Sequence, residues 1–168
     1  NKINLSLFPS GFVFNNQTLR SASIPPEQSI SKVITVENKA NYESMPYEEG
    51  TLIIYSHGYF SPDERAFLIH LERVLSSIRT SCGTTYLHTG DLDYGGVKIF
   101  QYIKKRIFPN LQPYLMDTQT HEQYKAYGEP IETSKLEKLQ RTTEPLLQPR
   151  IDKSCAEKQM IEQESFLF

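Results

Sequence analysis

The sequence predicts an α/β domain in which a parallel four-stranded sheet is flanked by helices. Three observations carry the prediction: four short apolar runs, helical periodicity in the segments that join them, and acidic residues placed where the runs end. The runs cover residues 33–36, 51–55, 84–88 and 112–116. Each is rich in β-branched or aromatic residues and bounded by polar or turn-forming ones, as strands are. Their near-continuous apolar character, in place of strict alternation, suits parallel strands covered on both faces.

Taken in order, residues 1–31 are rich in Ser, Asn and Pro, and Pro9, Pro25 and Pro26 interrupt any long period. They read as a lead-in of short strands and loops, with the domain proper running from 32 to 168. The first residue is Asn, and no charged, apolar leader follows it, so the chain reads as a piece of a longer polypeptide. After the second strand, Ser61-Pro62-Asp63-Glu64 supplies an N-cap, a proline at the first helical position and a capping-box glutamate. Phe67, Leu71, Val74, Leu75 and Ile78 then recur at helical spacing, and Gly83 is placed to stop the helix. Between the third and fourth strands Val97, Phe100, Ile103 and Ile107 repeat the pattern until Pro109 ends it. Beyond Asp117 the chain is polar, with helices expected near 134–141 and 152–164 and a loop around Pro145 and Pro149. Strand-helix alternation of this kind implies right-handed crossovers, with active groups at the carboxyl ends of the strands.

Composition narrows the function classes. At 168 residues, with 38% hydrophobic and 23% charged residues, the chain suits one soluble globular domain. No apolar run is long enough to span a bilayer. The two cysteines, Cys82 and Cys155, are far apart and lack CxxC spacing, which fits reduced thiols in a cytoplasm rather than a disulfide framework or a zinc site. No P-loop or GxGxxG sequence is present. A net charge of −2 and a pI near 6.1 argue against a basic nucleic-acid binder. That objection weakens if the acids hold a cation and the grip on DNA lies outside this chain.

Glu37 directly follows the first strand, and Asp91 and Asp93 directly follow the third. Carboxylates are the natural ligands of a hard cation, and three of them at one sheet edge repel each other unless one is bound, so the pattern predicts Mg²⁺ or Mn²⁺. Gly90, Gly95 and Gly96 permit close backbone approach, and the helix starting there aims its amides at a bound group such as phosphate. Lys39 reads either as a cation that neutralises developing charge or as a solvent-facing side chain. Asp117, at the end of the fourth strand, either completes the metal site or caps the next turn. His57 and His88 read as hydrogen-bonded structural groups. Lys104, Lys105 and Arg106 either touch DNA or complement a helix C-terminus. Glu162-Gln163-Glu164 reads as part of a structural, amphipathic terminal helix, with Phe166, Leu167 and Phe168 packing beyond it.

The run Val36-Glu37-Asn38-Lys39-Ala40-Asn41-Tyr42, the strand ending Ser56-His57-Gly58-Tyr59, the segment Gly90-Asp91-Leu92-Asp93-Tyr94-Gly95-Gly96, Leu115-Met116-Asp117 and Ile161-Glu162-Gln163-Glu164 together resemble the C-terminal Toprim domain of the JetD family. JetD is the nuclease subunit of bacterial Wadjet anti-plasmid systems. The resemblance covers residues 30–168 and extends to the Toprim domain of the topoisomerase VI A subunit, where a Glu after the first strand and an Asp-x-Asp after a later one bind Mg²⁺. It implies a Toprim-type fold and metal-dependent cleavage of DNA phosphodiesters. Glu37, Asp91 and Asp93 match the ligand positions. It also implies a condensin-like motor complex as partner and a homodimer. Water is the expected attacking group, since no tyrosine sits in a recognisable nucleophile context. Two other readings compete. One is a non-catalytic Toprim scaffold or dimerisation module. The other is a magnesium-dependent phosphatase, which wants Asp-x-Asp on the first strand with Thr two residues on, where this chain has Gly95.

Overall fold

The computed structural model describes residues 3–8, 10–27, 29–77 and 83–166. Ile78, Cys82, Leu167, Phe168 and the side chain of Phe166 lie outside the described residues, and with them the roles read for those positions in the sequence.

The sheet consists of β1 (Lys32–Val36), β2 (Thr51–Tyr55), β3 (Thr85–Thr89) and β4 (Gln112–Pro113), all parallel, in the order β2-β1-β3-β4. Central β1 carries Val33, Ile34, Thr35 and Val36 fully inside, as a strand covered on both faces must. Edge strand β2 is half-buried throughout. The fourth strand is shorter than its apolar run: Tyr114 still donates to the carbonyl of His88 at 2.8 Å, but Leu115 adopts φ 56° and turns the chain out of the ladder.

Three helices join the strands: α2 (Lys39–Ser44), α3 (Pro62–Ser77) and α4 (Tyr94–Arg106). The reciprocal cap expected at α3 is formed, with the Ser61 amide donating to Glu64 Oε2 at 2.7 Å and the Glu64 amide to Ser61 Oγ at 3.4 Å. Leu68, Leu71 and Leu75 of α3 and Val97, Ile99, Phe100 and Ile103 of α4 are buried in the same core. Full burial of each such side chain contributes about 2 kcal/mol. Short α2 had no clear apolar period to announce it; it starts because the Asn38 side chain accepts from the Asn41 amide at 3.1 Å.

The lead-in differs from the strands expected of it. Its described residues hold a 3-10 turn at Leu5–Leu7 and α1 (Asn16–Ser21), and no strand. Asn15 caps α1 through Thr18, Arg20 pairs with Asp63 at 2.8 Å, and the Phe14 ring lies against Phe67, so the segment packs on α3.

After β4 come α5 (Thr118–Tyr124), β5 (Glu129–Pro130), α6 (Thr133–Gln140), α7 (Gln148–Glu157) and β6 (Gln159–Met160). The helix α6 falls where the sequence places it. The last helix does not: Pro149 lies in the first turn of α7 rather than in the preceding loop, and the helix stops at Glu157 instead of running to 164. Lys158 takes a left-handed C-cap, φ 52°, and Gln159 and Met160 then pair antiparallel with Pro130 and Glu129. This early stop sends residues 161–164 back across the sheet edge. Among the described residues no helix is long and apolar enough to cross a membrane.

Candidate active site

The strand order makes a switch point. From β1 the chain moves outward to β2, and from β3 it moves the opposite way to β4, so the carboxyl ends of β1 and β3 flank a crevice of the kind in which parallel sheets bind ligands. Val36 pairs with Thr89, and the Glu37 amide extends the ladder one step by donating to the Thr89 carbonyl at 3.0 Å. Glu37 therefore stands opposite Gly90. Its carboxylate lies in the space that a side chain at 90 would fill: a Cβ there would collide with Glu37 Oε2. The Asp91 amide points at the same oxygen at 3.4 Å.

Asp91 is half-buried, and its Oδ1 accepts from the Gln163 amide at 2.9 Å. Asp93 is the N-cap of α4, its Oδ1 accepting from the Gly96 amide at 2.9 Å. That amide is thereby occupied and is not free for a phosphate. Gly96 must itself be small, since a Cβ would collide with the Asp91 carbonyl. One oxygen each of Asp91, Glu162 and Glu164 lie within 4.8 Å of one another, close enough to share a metal ion. Burial raises the Glu37 carboxyl to about 7; the charge of Asp91 adds to this, the Asp91 amide offsets part of it, and Asp93 and Glu162 raise it further. Burial also raises Asp91; the Gln163 amide and Lys135 act the other way, while Asp93 and Glu164 add to the rise. Burial, then the charge of Asp91, raises Glu162. Negative charge is thus crowded at this edge, and a hard divalent cation is the chemical complement of such a donor set.

Gln163 ties the edge together. It is fully buried, its side-chain oxygen accepts from the Asn38 amide at 3.0 Å, and its side-chain nitrogen donates to Thr89 Oγ1 at 3.0 Å. Asn38 in turn donates to Glu164. The structural role read for Gln163 is what the structure shows. Glu162 and Glu164, read as structural residues of an amphipathic terminal helix, lie beyond the end of α7 and stand beside Asp91. The sequence offered one signal for this, the family-like run 161–164, and its periodicity pointed the other way.

Most of the remaining candidates have partners of their own. Lys39 opens α2 and pairs with Glu43 at 3.5 Å, both side chains largely exposed. Asp117 caps α5 through the Thr120 amide at 2.7 Å, as Asp93 caps α4. Lys104, Lys105 and Arg106 occupy the last turn of α4, whose first turn carries Asp93. A rise of 1.5 Å per residue puts them roughly 16–20 Å along the axis from the acids. Lys104 there pairs with the buried Glu144 at 3.0 Å. His57 is exposed and lies 3.1 Å from Glu64. His88 is fully buried, its Nδ1 2.8 Å from Thr35 Oγ1, and burial holds it neutral by lowering its pKa to about 3.

Fold and site together define the class: an all-parallel α/β domain with a cluster of carboxylates at its switch point. The family description that matches residues 8–168 is "Wadjet protein JetD, C-terminal", and the chain belongs to that family. It is 33% identical over 168 residues to the Wadjet protein JetD of Bacillus cereus (strain Q1), with 97% of this chain and 40% of that protein aligned. The chain spans about two fifths of that relative's length.

Proposed function

We propose that this chain is the metal-dependent, DNA-cleaving part of a Wadjet plasmid-defence protein of Toprim type. The observation that carries the reading is the meeting of Glu37, Asp91, Asp93, Glu162 and Glu164 at the switch point, where burial and mutual repulsion raise Glu37, Asp91 and Glu162. Hard oxygen donors in this number fit Mg²⁺ or Mn²⁺. When bound, the cation supplies Lewis-acid stabilisation of the phosphoryl oxygens and a more acidic water. The chain's own residues do the placing. Gln163 fixes one oxygen of Asp91 through its backbone amide. Gly90 makes room for the Glu37 carboxylate, and Asp93 keeps one oxygen beyond its cap. DNA is the substrate, water the attacking group, and a condensin-like motor and a second copy of the protein are the partners the family resemblance supplies.

A scaffold reading has one observation in its favour: Asp93 and Gln163 are fully explained as cap and cross-link. Calorimetry with Mn²⁺ and Mg²⁺ on wild type and Asp91→Ala separates the two, followed by cleavage of closed-circular plasmid by the full-length protein. Binding lost in Asp91→Ala, together with plasmid cleavage that also depends on Asp91, supports the nuclease. Absence of binding by the wild type at millimolar metal with plasmid DNA present supports the scaffold.

A further inference from the structure

His88 has an edge that the fold leaves unexplained. The ring is fully buried at the carboxyl end of β3, its Nδ1 is engaged by Thr35, and among the described residues its Nε2 has no hydrogen-bond partner. A buried polar atom left unpaired costs roughly 1–3 kcal/mol; His88 Nε2 is one of several among the described residues, and its surroundings offer a reason. The parallel register pairs Thr35 with His88, and Glu37, two residues beyond Thr35, faces the same side of the sheet. The space opened by Gly90 is bordered by both groups: a Cβ built there would collide with Glu37 Oε2 and stand 3.0 Å from His88 Nε2. Had residue 90 any side chain, it would separate the imidazole from the carboxylate.

The Thr35 hydroxyl is the group that meets Nδ1. It has a single proton to give and two neighbours, the Leu87 carbonyl at 3.2 Å, to which it donates in this structure, and His88 Nδ1 at 2.8 Å. Donation over the shorter contact instead would make Nδ1 an acceptor and leave Nε2–H as a donor. We propose that His88 is a positioning residue, whose Nε2–H, with its tautomer set by Thr35, orients the Glu37 carboxylate for a divalent cation. It contacts neither cation nor substrate. It acts as the outer partner of a ligating carboxylate, a role whose loss costs 10- to 100-fold in metal affinity. This inference rests on the metal-binding reading above.

The test is Mn²⁺ affinity by calorimetry on the full-length wild type, His88→Leu, His88→Gln and Thr35→Val, with circular dichroism reporting the fold. His88→Leu is expected to bind 10- to 100-fold more weakly, whereas His88→Gln, which keeps an N–H near the Nε2 position, stays within about threefold of wild type. Nitrogen-15 spectra of the imidazoles, with the His88 signals assigned by their loss in His88→Gln, should show the Nε2–H tautomer in Mg²⁺. Thr35→Val is expected to lose that preference and part of the affinity, and it carries the test if His88→Leu does not fold. Wild-type affinity in a folded His88→Leu, equal losses in Leu and Gln, or an Nδ1–H tautomer in Mg²⁺ overturns the role of His88 while leaving the metal site standing. A wild type that binds no Mn²⁺ overturns both.

Discussion

Replacing Glu37 by Gln should stabilise the metal-free domain at alkaline pH and do so much less in acid. The carboxyl is held largely by burial, then by Asp91, at a pKa of about 7 against an ordinary 4.5. Between those values the folded chain keeps a proton that the unfolded chain has released, so stability falls as pH rises through the window. The penalty for ionising Glu37 in the folded state is absent below the ordinary value and complete above about 7. It amounts to about 3 kcal/mol at pH 8 and about 1 kcal/mol at pH 5. Gln removes the charge and keeps an oxygen for the Asp91 amide. Urea unfolding in EDTA should therefore show Glu37→Gln gaining about 2–3 kcal/mol more over wild type at pH 8 than at pH 5. Saturating Mn²⁺ should invert the order, since it stabilises whichever protein binds it. A Glu37→Gln difference that is the same at both pH values, or a wild type more stable than the variant at pH 8 without metal, would refute the claim that an uncompensated carboxylate is buried there.

Asp93→Ala should lose about 1 kcal/mol with its cap while Asp93→Asn retains that stability; if Asp93 is also a ligand, both lose Mn²⁺ affinity by calorimetry, and normal binding by Asn makes it a cap alone. Gly90→Ala should cost about 1–3 kcal/mol by driving Glu37 and His88 apart and should weaken Mn²⁺ binding. As its control, Gly83→Ala, at φ 69° with nothing within 4 Å, should lose stability without losing the metal. Gln163→Leu strands the Asn38 amide and the Thr89 hydroxyl, so a loss of about 2 kcal/mol, roughly 4–8 °C in Tm, is expected by calorimetric melting.

The sheet and its two main helices were legible because their signals are local. The Ser61 to Glu64 capping box is complete within four residues, and Val97, Phe100, Ile103 and Ile107 mark one face without reference to the rest of the chain. Placing Glu37 and the Asp91 to Asp93 pair at a common edge needed only the rule that parallel strands share a carboxyl end. What failed to show depends on contacts distant in sequence. The stop of α7 at Lys158 is fixed by pairing with Glu129 and Pro130, and the arrival of Glu162 and Glu164 follows from that stop. Residues 159–164 contain no proline or glycine to announce a helix end, so periodicity alone extends the helix through them. The lead-in misled for a related reason: its proline and serine content speaks against long elements, not against a six-residue helix held on α3 by Arg20 and Phe14.

The same separation of local and distant decides where DNA could be held. Under the proposed function a polyanion must approach an edge that carries five carboxylates, and the basic residues picked from the sequence are engaged elsewhere or lie at the far end of α4. Lys39 is engaged with Glu43, Lys104 with Glu144, and Lys105 and Arg106 close the far end of α4. Lys135 is the cation that Asp91 feels, and one lysine does not offset this charge. At a net charge of −2 the chain as a whole gives no long-range attraction either. A duplex can then reach the crevice only if bound cations first reverse the local sign and if residues outside this chain supply the phosphate contacts. In the Bacillus cereus relative, 60% of the length lies beyond the part this chain matches. Under the proposed function metal binding must therefore precede DNA, since it would turn a repulsive edge into one where a phosphate is favoured.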